Sequence, residues 1–144
     1  RYHMSNIMAA LGSSQLKRFS YFSSKRKSLS KLYDSLLFKN KYIKTFIRSY
    51  EDIVPHIYPV LTIGLNRDKL RSYLLENNIQ TGIHYKPNHM LSYYKNDIND
   101  SLKDSEFLFN NLLSLPLHPD LIDDDVKKVV KTIDQFIQED SLLI

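Results

Sequence analysis

The sequence IKTFIR at residues 43–48 is followed by HIYPVLTI at residues 56–63, with no helical pattern between the two runs. The first run alternates weakly, and the second is rich in the branched and aromatic residues that favour strands. Strands in direct succession favour antiparallel pairing over a parallel βαβ arrangement. Because Pro59 lacks a backbone donor, the second strand is expected to lie at a sheet edge or to begin regular pairing after Pro59.

Helical periodicity precedes this strand pair. Between Met4 and about Phe38, apolar residues recur at spacings of three, four and seven, which predicts two helices or one bent helix. Ser5 is the expected cap, and Gly12 is expected to be a close-packing position, not a stop. The recurring residues are Ile7, Leu11, Phe19, Phe22, Leu29, Leu32 and Leu36.

The pattern changes again after the second run. Gly64 and Asn66 mark a turn before a helix predicted over about 67–77. Residues 79–85 return to strand character, and Pro87 then biases the chain away from helix. The apolar face of the predicted helix consists of Leu70, Tyr73 and Leu74.

The last third of the chain alternates once more between loop and helix. Residues 96–100 are a polar loop, a helix is predicted over about 102–113, and prolines pin residues 114–119 as a short extended segment. Asp123, Asp124 and Asp125 then favour the start of a final helix through the helix dipole. Its predicted buried stripe is Val126, Val129, Val130, Ile133, Phe136 and Ile137.

This element order predicts an α+β fold in which a small, mostly antiparallel sheet is covered by helices. The chain has 144 residues, of which 42% are hydrophobic, enough for one domain with a sizeable core. No internal repeat or low-complexity linker divides it. One domain is therefore expected over residues 1–144.

Composition removes several classes of function. The absence of cysteine excludes disulfides, thiolate zinc sites and thiol nucleophiles, and leaves the cytoplasm as the default compartment. No apolar run approaches the roughly 20 residues that cross a bilayer, so no membrane span is expected. The net charge is +4, but the basic residues between Lys17 and Lys44 alternate with serines and apolar residues, which favours a solvated helix face over a nucleic-acid surface.

Familiar catalytic motifs are also missing. The sequence has no phosphate loop, GxGxxG fingerprint, HExxH motif or GxSxG elbow. Its five histidines are scattered, and His84 with His89 lacks a nearby fixed carboxylate, so no metal site is predicted. The three consecutive aspartates are interpreted as a helix cap, not as an acidic site.

A polar loop follows the predicted strand at residues 79–85. Histidines and tyrosines can orient hydroxyl-rich ligands, and Lys86 can attract phosphate. The alternative is that the tyrosines pack and the histidines cap the turn, and the residues alone leave both open. The loop contains His84, Tyr85, Lys86, Asn88, His89, Tyr93 and Tyr94.

Four segments, in order, resemble the C-terminal part of the DegT/DnrJ/EryC1/StrS family of sugar aminotransferases, which use pyridoxal 5′-phosphate (PLP). The first is YHMSNI at residues 2–7, continued by AALG at 9–12 and QL at 15–16. The others are HIY at 56–58, IQTGIHY at 79–85 and LSLPLHP at 113–119. Each segment alone gives only a modest match to the family, whereas the four segments in this order give a strong one.

The resemblance implies the small C-terminal domain of the aspartate-aminotransferase fold (PLP fold type I). It implies a homodimeric enzyme that moves an amino group from glutamate or glutamine to a keto group of a nucleotide-linked sugar, for surface polysaccharide or deoxyaminosugar synthesis. The Schiff-base lysine would lie in a missing N-terminal cofactor-binding domain, with residues 1–40 as the helical link to it. No catalytic residue is therefore assigned here, and the isolated chain is expected to be inactive.

The resemblance also carries over individual residues. Arg1 and His3 occupy the positions of the family's asparagine and arginine, which meet cofactor phosphate or substrate in the partner subunit's site; both depart from the family pattern. His84 matches a histidine near the cofactor and sugar, and is expected to orient substrate. Tyr85 and His89 are the next candidates for substrate contacts after His84, and Lys86 is a candidate diphosphate contact.

Structural roles are expected for Asn6 at the first helix start, Tyr58 in strand packing and His118 in a proline-fixed turn. Two competing functions stay open: a PLP-dependent sugar dehydratase of the same family, in which histidine replaces the lysine, and a non-catalytic module that holds an anionic partner. The aminotransferase hypothesis predicts exposed apolar surface on the first helical segment, where a missing domain and a second subunit would pack.

Overall fold

The computed structural model describes residues 3–94 and 102–141, in which helices cover a three-stranded sheet. The predicted polar loop at 96–100 lies outside the described residues. The elements, in order, are α1 (Asn6–Lys17), α2 (Phe19–Leu37), β1 (Ile43–Thr45), β2 (Tyr58–Thr62), α3 (Arg67–Glu76), a 3₁₀ turn (Asn88–Met90), α4 (Lys103–Asn111), β3 (Leu112–Leu115) and α5 (Asp123–Ser141).

The long helical stretch is two helices, as predicted. The Ser5 hydroxyl accepts a hydrogen bond from the Met8 amide at 3.3 Å, which confirms the cap. Arg18, at φ −97° and ψ 0°, separates α1 from α2. Helix α1 runs through Gly12, but a Cβ atom there would meet nothing within 4 Å. The expected close packing at Gly12 is therefore wrong within the described chain.

The sheet is antiparallel in the order β1-β2-β3, so β2 is central. Of the two expectations for Pro59, a position at the sheet edge is wrong, whereas pairing that begins after Pro59 is correct for β1, which pairs from Val60, and wrong for β3, which already pairs at Tyr58. The partner of Pro59 across the ladder is Ser114, whose backbone N–H and C=O instead bond Gly82 on the far side. The Pro59 nitrogen thus faces the side where pairing with β1 has already ended at Val60. A missing donor at Pro59 therefore breaks no ladder bond.

Helices α2, α3 and α5 pack against one face of the sheet and enclose the core. The Tyr33 ring of α2 stacks on the Tyr58 ring of β2 with centroids 4.6 Å apart, which confirms the packing role of Tyr58. The core consists of Leu29, Tyr33, Leu37, Ile43, Tyr58, Val60, Leu70, Leu74, Ile79, Leu113, Leu115, Leu117, Val126, Val129, Val130, Ile133 and Phe136.

Helices α3 and α5 begin where the sequence predicts. The Asn66 side chain accepts hydrogen bonds from the amides of Asp68 and Lys69, both at 3.0 Å. At the start of α5, the Asp125 carboxylate accepts from the Ile122 amide at 2.8 Å. The predicted apolar faces of both helices are the ones that enter the core.

The strand predicted at residues 79–85 is wrong except at one residue. Only Gly82 pairs, by an isolated bridge to Ser114. The Ile79 amide is used by the end of α3, where it donates to the Leu74 carbonyl at 2.8 Å across Asn78, whose φ is +60°. Ile79 is also buried in the core, so the chain reaches the edge of β3 only at Gly82. Residues 83–87 then leave the sheet.

None of the helices in residues 3–94 and 102–141 is long and apolar enough to span a bilayer.

Candidate functional site

The candidate site lies on the sheet face opposite the α2, α3 and α5 core. Leu113 and Leu115 point into that core, and side chains alternate along a strand, so the Ser114 side chain points to the opposite face. The loop of residues 82–94 crosses this face, because Gly82 is bonded to Ser114 by N–H···O contacts of 3.0 and 2.8 Å. Two backbone hydrogen bonds thus fix where the loop begins.

His84 is also bonded to Ser114 of β3. Its Nδ1 lies 2.9 Å from the Ser114 hydroxyl oxygen. The ring is half-buried, and Nε2 keeps accessible surface and bonds no residue in the described part of the chain. The sequence-predicted site residue therefore has one nitrogen fixed by the domain and the other available to a ligand.

Gly82 makes room for the His84 ring. A Cβ atom at position 82 would overlap Cε1 of His84 and lie 3.1 Å from its Nε2. Since any other residue at this position would displace the ring, the glycine of the IQTGIHY segment is required by close approach, not by a positive φ.

His89 anchors the far end of the loop. Its Nε2 lies 3.3 Å from the Glu106 carboxylate on α4, and its side chain is 9% exposed. Arg67 ties α4 to β3, because its Nη1 donates to the carbonyls of Phe109 and Leu112 at 2.9 Å. The two histidines of the loop thus have different partners, and a substrate contact by His89 stays a prediction.

Tyr85 and Lys86 lie at the solvent side of the loop. The Tyr85 side chain is exposed, and its ring meets the His84 ring edge-on with centroids 4.9 Å apart. Lys86 is exposed as well. Both side chains are free to reach a ligand beside His84.

The two residues predicted to meet cofactor lie at the start of the chain. Arg1 falls outside the described residues. His3 is exposed just before α1 and makes no hydrogen bond with the described part of the chain. Within that part, no group of three acidic or histidine side chains is arranged to hold a metal ion.

A second polar cluster surrounds the Asp34 carboxylate of α2 and was not predicted. Asp34 accepts hydrogen bonds from the hydroxyls of Tyr50 and Tyr58 and pairs with Arg48 at 3.3 Å. Burial, followed by the bond to Asp34, raises the pKa of the Tyr50 hydroxyl to about 12, and the same causes raise the pKa of Tyr58. Arg48 also donates to the Pro59 carbonyl at 2.9 Å, so the cluster fastens the segment between β1 and β2 to α2.

Helix α1 presents an exposed apolar face, as the aminotransferase hypothesis predicts. None of its residues is buried, and the Ile7 side chain is 82% exposed. Isolated proteins rarely leave such a surface uncovered, and larger exposed patches mark interaction sites. The α1 face consists of Met4, Ile7, Met8 and Leu11.

Several partners in the site escaped sequence reasoning. Ser114 and Glu106 are 30 and 17 residues away from the histidines they bond. The one available signal was a serine between leucines in LSLPL, where a buried strand position carries a hydroxyl that needs a partner. No comparable signal pointed to Asp34.

Known proteins of one family resemble this chain in sequence and in structure. The sequence pattern of the DegT/DnrJ/EryC1/StrS aminotransferase family matches residues 1–134. The chain is 29% identical over 143 residues to the UDP-4-amino-4,6-dideoxy-N-acetyl-β-L-altrosamine transaminase of Campylobacter jejuni, covering 96% of this chain and 38% of that protein. It is 34% identical over 151 residues to the UDP-4-amino-4-deoxy-L-arabinose–oxoglutarate aminotransferase of Shewanella sediminis, covering 95% and 39%.

Solved structures agree. Spr1654 of Streptococcus pneumoniae, described as a sugar aminotransferase, superposes in its apo form with a TM-score of 0.87 at 28% identity, covering 98% of this chain and 37% of that one. Its PLP form matches with a TM-score of 0.86 at 28% identity, covering 95% and 36%. The chain thus spans well under half the length of the proteins it matches.

Proposed function

Because this chain belongs to the DegT/DnrJ/EryC1/StrS aminotransferase family, we propose that it is the C-terminal small domain of a PLP-dependent sugar aminotransferase. The complete enzyme would transfer an amino group from glutamate or glutamine to a keto group of a nucleotide-linked sugar, in the cytoplasm. The relatives named as transaminases of UDP-linked amino sugars support this substrate class. The observation that carries the proposal is His84, fixed through Nδ1 and accessible through Nε2 on the sheet face opposite the core.

The family depends on PLP. The described residues can supply hydrogen bonds to the cofactor but no lysine that is assigned to bind it covalently. His84 Nε2 can donate to an oxygen atom, and the hydroxyl of Thr81, three residues earlier in the chain, is buried without a partner in the described residues. Each lysine of the described chain is exposed or half-buried at the surface, so none is assigned to hold the cofactor covalently. When bound, PLP supplies the electron sink for amino transfer. The role of this chain would then be to bind and orient the sugar and the cofactor.

The loop of residues 82–94 would form the sugar side of the site. His84 would hydrogen-bond the sugar or the cofactor, with Tyr85 beside it, and Lys86 would meet the diphosphate as a flexible positive charge. His89 would act through its bond to Glu106 by holding the loop, and any direct contact with substrate would come second. Arg1 and His3 would contribute to the cofactor phosphate of a second subunit.

The α1 face would be covered in the complete enzyme. Its exposed apolar side chains are suited to packing against the cofactor-binding domain and a second subunit, so a homodimer is part of the proposal. No nucleic-acid or membrane partner is proposed. The guanidinium of Arg26 in the basic segment is used inside the domain, where it donates to the carbonyls of His56 and Leu117 at 3.0 Å.

Amino transfer tests the proposal. The complete polypeptide that contains these residues is assayed with PLP, glutamate or glutamine, and a panel of UDP- and dTDP-linked keto-sugars. We expect an amino-sugar product from the complete polypeptide and none from the 144-residue chain alone. Loss of water from the sugar without amino transfer would favour the dehydratase. Turnover by the chain alone would show that the essential lysine is in this sequence.

A further inference from the structure

The Ser114 hydroxyl is a buried donor with a single partner. The residue is 4% exposed, and its hydroxyl oxygen lies 2.9 Å from Nδ1 of His84. Within residues 3–94 and 102–141, this is the one hydrogen bond of that hydroxyl.

A buried hydroxyl carries one proton and costs free energy when that proton has no acceptor. Among the described residues, the one hydrogen-bond partner of the Ser114 hydroxyl is Nδ1, which can accept only if it carries no proton. In the neutral ring the proton must then lie on the other nitrogen. The Ser114 hydroxyl therefore selects the tautomer of His84 in which Nε2 is protonated.

We propose that Ser114 is a positioning residue that makes His84 a hydrogen-bond donor at its accessible nitrogen. Nε2 bonds no described residue and keeps accessible surface, so the N–H faces the space where a ligand would bind. The group that occupies this space must offer an acceptor, such as a hydroxyl, carbonyl or phosphate oxygen. That this oxygen belongs to a nucleotide-linked sugar rests on the proposed function, whereas the tautomer does not.

Two further contacts hold the ring in this orientation. The bare Cα of Gly82 lets the ring lie against the backbone, and the Tyr85 ring meets it edge-on. Rotation of the ring by half a turn would replace Nδ1 by a carbon atom at Ser114 and so break this hydrogen bond. The orientation and the tautomer are thus fixed together.

The direct test is the tautomer itself. Histidine labelled with ¹⁵N is incorporated into the complete polypeptide, and the His84 ring is assigned by its loss in His84→Gln. Correlation of ring carbons and nitrogens above the pH range of histidine protonation identifies the protonated nitrogen. We expect Nε2–H in the wild type, a mixture of tautomers in Ser114→Ala, and Nε2–H again in Ser114→Thr, which keeps the hydroxyl.

An Nδ1–H ring in the wild type would overturn the proposal without any variant, even if Ser114→Ala fails to fold. An unchanged Nε2–H tautomer in folded Ser114→Ala would also overturn it. In the transfer assay, Ser114→Ala should lower kcat/KM about 10-fold, as expected for one misplaced hydrogen bond, and Ser114→Thr should restore most of it. An enzyme that shows the expected tautomers but acts on another substrate class would refute the proposed function alone.

Discussion

The His84 ring occupies the space that a side chain on Gly82 would need. These two residues are separated by one position in the chain, yet the ring turns back over the glycine to reach Ser114. The absence of a Cβ atom at position 82 is therefore as much a part of the site as the histidine. It also explains why the segment contains glycine where no positive φ is needed.

Gly82→Ala is expected to push the His84 ring off Ser114 and to lower the free energy of unfolding by about 1 kcal/mol through the lost hydrogen bond. Chemical denaturation measures the change. Gly12→Ala is the matched control, because a Cβ atom there meets nothing and alanine favours the helix by about 0.5 to 1 kcal/mol. Equal stability of Gly82→Ala and wild type would contradict the claim that the His84 ring needs the space of a Cβ atom at position 82.

Asp34→Asn is expected to destabilise the fold by about 2 to 3 kcal/mol, because a carboxylate that accepts from two tyrosines and pairs with Arg48 becomes a neutral amide. The measurement is the denaturant midpoint. Asp52→Asn serves as the control, since that side chain is exposed, and its change should stay within about 0.5 kcal/mol. Similar losses in both variants would mean that the cluster contributes nothing specific.

Stability is expected to fall in alkali because of Tyr50. Its pKa is raised from 10.0 to about 12 by burial and by Asp34. Above pH 10 the unfolded state therefore loses the tyrosine proton first, so the free energy of unfolding decreases with pH until about 12. Below pH 10 this contribution is constant. Unfolding midpoints on either side of that pH measure it, and Tyr50→Phe should show a shallower decrease; an identical slope would contradict the assignment.

Leu11→Glu tests the α1 face. The side chain is exposed in this domain, so the domain's own stability should change by no more than about 0.5 kcal/mol, while assembly with the other domain and subunit is lost. Analytical ultracentrifugation of the complete polypeptide measures the assembly. Ser13→Glu, on the opposite side of α1, should assemble normally. If Leu11→Glu also assembles as wild type does, the α1 face is not the interface.

Elements with local signals were predictable from the sequence. The cap at Ser5, the turn at Asn66 before α3 and the valine stripe of α5 each depend on residues within one or two turns of the chain. The strand at residues 79–85 failed because its apolar residue Ile79 is used by the end of α3 and the core, which periodicity alone does not reveal. Strand propensity does not determine pairing, because pairing is a tertiary property.

The sequence indicated the loop that carries the candidate site, but not the residues that support that loop. His84 could be located from its motif, whereas Ser114 and Asp34 act on residues 14 to 30 positions away in the chain. Such pairs depend on how segments distant in sequence pack together, as in the bridge of Gly82 to Ser114 and the packing of α2 on the sheet. A pattern read along one segment carries no information about that packing.

The most direct test of the central claim is the effect of His84→Ala on kcat/KM for the sugar nucleotide in the complete enzyme. We expect a decrease of about 10- to 100-fold, as for a hydrogen bond worth about 1.5 to 3 kcal/mol in the transition state. His118→Ala, whose side chain is 53% exposed on another segment, should act as wild type does. Equal kcat/KM in His84→Ala and wild type would contradict the assignment of this loop to the sugar side of the active site.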